Sequence, residues 1–219
     1  MNWLKRKFLH LVPLLALTAV VGDAESAVLI DDFTTAQSVF NGSTGPVNVT
    51  GTQLGNLTRI ITAAASPNDA ETEVNIGNGF LNISNDSDSA GTASVFYSFD
   101  AVNLASVADG LLFNISLIDL SSEIQLIANG TSVFDFANLG FQGLYEIEFA
   151  QFSNPAAFNN LTSLRLNFRG AQSWDGQFGS LTADSKNVPE PSTLFLLTFG
   201  LAALARARYC KVVKTPKAG

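Results

Sequence analysis

Between Ala27 and Asn187, apolar and polar residues alternate with a period of two rather than 3.6. The alternation is strict in Leu164-Arg165-Leu166-Asn167-Phe168-Arg169, and Tyr145, Ile147 and Phe149 alternate with Glu146 and Glu148. Phe113, Ile115 and Leu117 share one face of another segment, and Val95, Tyr97 and Phe99 one face of the segment before it. Each pattern predicts a strand with one buried and one wetter face, because successive side chains of a strand point to opposite sides. Further strands are predicted at Val28–Phe33, Arg59–Ala63, Glu73–Ile76, Phe80–Ser84, Glu123–Ala128, Ser132–Phe136 and Gln177–Thr182. Asn129-Gly130, between two such runs, signals a type I′ hairpin, whose two central residues both need positive φ. The segment Asn41 to Gly55 is rich in Gly, Thr and Asn and reads as a long loop.

About ten short strands, separated by turn signals and with no amphipathic helical stretch, predict an all-β domain over residues 27–187. The expected architecture is an antiparallel β-sandwich, jelly-roll-like, with its many Phe side chains filling the core. Composition narrows the chemistry. The single His, Met and Cys are His10, Met1 and Cys210, all outside this stretch. Residues 27–187 therefore hold no disulfide, thiol nucleophile, Ser-His-Asp triad, or zinc or copper site of the usual ligands. Sixteen acidic and four basic residues leave the stretch near −12, although the whole chain carries −7. Such a surface repels phosphate backbones, so nucleic acid is excluded as a partner.

The missing basic residues sit at the two ends. Lys5, Arg6 and Lys7 precede an apolar run from Phe8 to Val21 and small residues at Gly22, Ala24, Ser26 and Ala27. This is the form of a secretory signal peptide over residues 1–26, with passage through the Sec translocon implied. At the other end, Val188, Pro189, Glu190, Pro191, Ser192 and Thr193 precede an apolar stretch at 194–205 and a tail at 206–219 carrying Arg206, Arg208, Lys211, Lys214 and Lys217. The two prolines hold the motif extended, and the basic tail keeps its end cytoplasmic if the apolar helix enters the membrane. This C-terminal segment resembles the PEP-CTERM sorting signal of Gram-negative-type bacteria. The resemblance implies recognition of Pro189, Glu190 and Pro191 by exosortase, a membrane transpeptidase. It also implies an exported protein held in the inner membrane by the C-terminal helix before reaching the cell surface or extracellular matrix.

Leu29-Ile-Asp-Asp-Phe33 at the start, and Trp174-Asp175-Gly176 with Leu181-Thr-Ala-Asp184 at the end, resemble the opening and closing strands of galactose-binding-like jelly rolls. In that fold the terminal strands often meet and a structural calcium is frequent. Asp31, Asp32, Asp175 and Asp184 are accordingly candidate calcium ligands, carboxylate oxygens being suited to a hard cation. Asp86 and Asp88 offer oxygens at a spacing of two but lack the full calcium loop, and read as a turn. Trp174, the only Trp of residues 27–187, with Gln172 and Asp175 beside it, is a candidate glycan contact. Glu146-Ile-Glu148-Phe-Ala-Gln151 resembles the catalytic strand of laminarinase-type glycosidases, but Gln151 occupies the acid/base position and cannot exchange a proton there. Eight Asn-x-Ser/Thr triplets, beginning at Asn41, Asn48, Asn56, Asn82, Asn85, Asn114, Asn129 and Asn160, reflect an Asn- and Ser/Thr-rich composition. The expectation is a non-catalytic surface or matrix protein that binds polysaccharide. The alternatives are a calcium-stabilised carbohydrate-binding module and a degenerate laminarinase-like glycosidase.

Overall fold

Each alternating segment becomes a strand. The computed structural model describes residues 27–140 and 142–184, so the signal helix, the sorting motif and the C-terminal helix lie outside the described residues. The strands are β1 (Val28–Asp31), β2 (Gln37–Phe40), β3 (Gly42–Ser43), β4 (Val47–Asn48), β5 (Thr58–Ala64), β6 (Thr72–Gly77) and β7 (Phe80–Asn85). They continue with β8 (Thr92–Val102), β9 (Gly110–Ile118), β10 (Ser122–Ala128), β11 (Ser132–Asn138), β12 (Gly143–Glu148), β13 (Leu161–Gly170) and β14 (Gly176–Asp184).

Two seven-stranded antiparallel sheets result. The first runs β12-β9-β14-β7-β6-β2, with β1 also paired to β14; the second runs β11-β10-β13-β8-β5-β3, with β4 also paired to β5. The all-β sandwich expected from the pattern is present, and the terminal strands β1 and β14 do pair, Val28 opposite Ala183. The expected hairpin turn forms as well: Asn129 and Gly130 have φ of 51° and 69°, and the Thr131 amide donates to the Ala128 carbonyl. One expectation needs correction. The presumed loop Asn41–Gly55 contributes β3 and β4, two-residue strands that pair with β5, and β2 just before it pairs with β6. These edge pieces are too short for alternation to mark them.

The inward halves of the alternation meet between the sheets. Phe113 on β9 stacks on Phe178 of β14 at 5.0 Å, and both touch Phe168 on β13 of the opposite sheet, at 6.0 and 5.0 Å between ring centroids. A second aromatic group, Phe134, Phe149, Phe152 and Phe158, lies where 3₁₀ turns at Phe149–Gln151 and Pro155–Asn160 lead from β12 into β13.

A polar network also crosses this core. Asp31 on β1 and Arg59 on β5 are wholly buried and paired, Arg59 Nη1 lying 2.6 Å from Asp31 Oδ2. Tyr97 on β8 donates its hydroxyl to the same oxygen at 2.9 Å, and the Phe33 amide donates to Asp31 Oδ1 at 2.8 Å. Arg59 donates further to Gln37 Oε1 at 2.9 Å and to the Thr35 carbonyl. Every charge is thereby neutralised and hydrogen-bonded, the condition under which buried ions persist.

Burial, reinforced by the neighbouring Asp31 carboxylate, raises the Tyr97 hydroxyl well above its ordinary pKa of 10.0. Because the folded-state value is the higher one, this contribution to stability is complete below pH 10 and is lost as pH rises from there through the folded value. Urea unfolding measured from pH 8 to 12 should show stability falling above about pH 10. Tyr97→Phe should be less stable at neutral pH and should show a shallower alkaline decline. An unchanged alkaline slope would place the effect elsewhere.

Candidate functional site

The structure relocates the residues singled out in the sequence. Trp174, expected at the surface, is fully buried, and its indole Nε1 donates to the Gly91 carbonyl at 2.9 Å. Gly170 is glycine for the same reason: a Cβ there would lie 2.4 Å from Trp174 Cγ. Gln172 is exposed but donates to the Ser87 carbonyl, and Asp175 accepts from the Asn85 amide at 2.8 Å. The Ser-Trp-Asp-Gly turn thus ties β14 to the segment after β7 and offers no indole face to a sugar.

The four aspartates are not brought together either. Asp31 is committed to Arg59 and Tyr97 inside the core. Asp32 accepts the amide and hydroxyl of Thr34 at 2.9 and 2.7 Å, closing a local turn. Asp175 precedes β14 and Asp184 ends it, nine residues apart along a strand, about 30 Å at the usual rise. Among the described residues no three His, Cys, Asp or Glu gather closely enough to hold a metal ion. In the laminarinase-like string, Gln151 Oε1 accepts the Glu148 amide at 2.9 Å and caps the turn after β12, a structural task.

What the alternation left unremarked is its outward half. On the first sheet the cross-strand register places Leu117 (β9), Gln177 (β14), Asn82 (β7), Asn75 (β6) and Ser38 (β2) in one row. Their inward neighbours Leu81, Ile83, Val74, Ile76 and Phe178 are buried, so this row faces outward. Leu117, expected on the inward face with Phe113 and Ile115, is turned outward and exposed by an irregularity in the pairing of β9 with β14 between Ile115 and Leu117, while those two stay buried. Gln177 donates to Asn82 Oδ1 at 2.9 Å, Asn82 to the Asn75 carbonyl at 3.5 Å and Asn75 to Glu73 Oε1 at 3.3 Å. Gln177 Oε1, Asn75 Oδ1 and the Ser38 hydroxyl have no partner among the described residues. The row spans five strands, about 19 Å at the usual strand spacing. Phe80 on β7 flanks it on one side, 36% exposed, and Phe40 on β2 on the other, 60% exposed. From the register the two rings lie about 16 Å apart. Exposed rings with amides between them suit an extended, hydroxyl-rich chain, which stacks its apolar faces and hydrogen-bonds its edges. The signal for this face was the Asn and Gln at outward positions of short strands, indistinguishable in a lone sequence from ordinary surface polarity.

Three comparisons bear on the chain. Residues 187–208 match the PEP-CTERM protein-sorting motif, as the residues themselves suggested, which makes this segment a sorting signal and the chain an exported one. No curated protein matches. Among solved structures the chain is similar to the family 11 carbohydrate-binding module of cellulosomal cellulase Lic26A-Cel5E of Clostridium thermocellum, at 14% identity and TM-score 0.41, over 74% of this chain and 95% of that one. It is similar also to the family 11 module from Clostridium thermocellum in complex with a β-1,3-1,4-mixed-linked tetrasaccharide, at 13% identity and TM-score 0.40, over 73% and 95%. These are likenesses of fold.

Proposed function

We propose that the chain is a non-catalytic, exosortase-sorted surface or matrix protein of bacteria whose β-sandwich binds a neutral, extended polysaccharide across the outer face of the first sheet. In this reading residues 1–26 are removed on export and 27–187 form the binding domain. The motif at 188–193, with its apolar helix and basic tail, holds the protein in the inner membrane until exosortase acts near Pro189, Glu190 and Pro191. The sorting motif at 187–208 supports the second part.

One observation carries the first part: the Gln177–Asn82–Asn75–Ser38 row lies between exposed Phe80 and Phe40. Leaving two aromatic rings in water has no folding benefit, and rings beside hydrogen-bonding amides are how proteins hold sugar chains. Titration calorimetry against soluble neutral polysaccharides, such as mixed-linked β-glucan, xyloglucan and galactomannan, tests it. Phe40→Ala and Asn82→Ala should each weaken the binding found, by about three- to tenfold for the amide, without lowering the melting temperature. Binding to none of the panel, or binding indifferent to both substitutions, would remove the first sheet from the account.

A further inference from the structure

The described residues contain three basic side chains, Arg59, Arg165 and Arg169. Arg59 is buried, so both exposed cations among the described residues belong to β13, on the outer face of the second sheet. The register lays three rows across that face: Ile127–Arg165–Phe96–Ile60, Gln125–Asn167–Ser94–Thr62, and Glu123–Arg169–Thr92–Ala64. Each arginine lies over a ring. The Arg165 guanidinium is 4.9 Å from the Phe96 centroid, and that of Arg169 3.7 Å from Phe136. Stacking fixes a guanidinium plane and leaves its edge N–H groups to bind an anion. Arg169 is paired with Glu123 at 2.6 Å, whereas Arg165 has no acidic partner among the described residues. Asn167 donates to Gln125 Oε1 at 2.9 Å, and Gln125 to Asp135. Beside them an open groove of about 380 Å³ is lined by Thr62, Thr92, Ser94, Phe136, Asn167 and Arg169.

We infer that this face is a second binding site, for an acidic polysaccharide, independent of the neutral chain proposed for the first sheet. The two guanidinium groups select the occupant, against the carboxylates of Glu123 and Asp135 on the same face. A domain near −12 repels a polyanion over most of its surface, and among the described residues only this face presents exposed, ring-supported guanidinium groups. The hydroxyls and amides between the arginines suit a sugar backbone. A lipid surface fits less well, because none of the large exposed apolar residues lies on a strand of this sheet. The ligand is held by Arg165 and Arg169, about 13 Å apart along β13, to carboxylates of non-adjacent uronate units and by Asn167, Thr62 and Ser94 to hydroxyls. Glu123 competes for Arg169.

The test uses the exported protein and two polymers with one backbone, polygalacturonate and its methyl ester, the second lacking the charge. Polygalacturonate should bind, and the ester at least about tenfold more weakly. Arg165→Gln should cost a similar factor with an unchanged melting temperature, and Arg165→Lys should recover only part of it. Glu123→Gln should strengthen binding about two- to fivefold, a gain that misfolding cannot mimic. Excess mixed-linked β-glucan should not displace polygalacturonate, which separates this site from that of the first sheet. Equal binding of the two polymers, indifference to Arg165→Gln, displacement by the neutral glucan, or a preference for anionic lipid vesicles over polygalacturonate would each overturn the inference.

Discussion

Asp31→Asn is expected to destabilise the sandwich by about 3–5 kcal/mol, the usual loss when one partner of a buried ion pair is removed. The substitution keeps the shape of the side chain but strands the Arg59 guanidinium, fully enclosed, without its counter-charge. It also weakens the acceptor for Tyr97 and the Phe33 amide. For a domain of this size the melting temperature should fall by roughly 6–20 °C. The double variant Asp31→Leu, Arg59→Leu should lose less than the sum of the single changes, because it leaves no buried charge behind. Thermal melts of the three variants against the parent check this. Additive losses would mean that the two side chains act separately. A parent-like melt for Asp31→Asn would mean the pair is solvated, and would restore Asp31 as a candidate ligand for calcium.

Trp174→Ala should be comparably damaging, about 3–5 kcal/mol, by opening a cavity where the largest buried side chain stood. The loss includes the indole hydrogen bond to Gly91 and the packing against Gly170. Trp174→Phe should recover much of the stability, since a ring still fills the site. Gly170→Ala should destabilise by about 1–3 kcal/mol from the opposite direction, by overpacking. Because Trp174 is the only Trp of residues 27–187, its emission reports the site directly in protein lacking residues 1–26, which hold the other Trp, Trp3. It should be blue-shifted in the folded protein and move to the red in the same transition that abolishes the far-ultraviolet strand signal. A folded Trp174→Ala protein that has lost polysaccharide binding would instead return the indole to the surface.

The strands were legible because each is long enough for its inward side chains to declare a period. β8 with Val95, Tyr97 and Phe99, and β13 with Leu164, Leu166 and Phe168, are the plain cases. β2, β3 and β4 were not legible: they hold four, two and two residues, and they are defined by pairing to β6 and β5 rather than by their own pattern. The same limit misplaced the sites. A carboxylate at the end of a strand looks solvated until the fold delivers Arg59, twenty-eight positions away, to its side. Trp174 sits among Gln172, Ser173, Asp175 and Gly176, a polar neighbourhood in sequence, yet the chain folds its indole under Gly91 and Gly170. The two faces proposed for binding were written in the sequence as the polar half of the alternation. Their register across strands, which makes a row of Gln177, Asn82, Asn75 and Ser38, exists only once non-adjacent segments have paired.

The position of β14 has a mechanical consequence. It is an interior strand, bonded to β9 on one flank and to β7 and then β1 on the other, and it ends at Asp184. The sorting motif begins at residue 187, three residues on, so at most about 10 Å of extended chain separates the two. A pull along β14 from this carboxyl end therefore loads a strand held on both sides. The inter-strand hydrogen bonds lie across that axis and share the load in shear, whereas an edge strand drawn off sideways would release them one after another. A sheet loaded in this way gives up its hydrogen bonds together or not at all, so a polymer bound as proposed would be held without the strands first peeling apart.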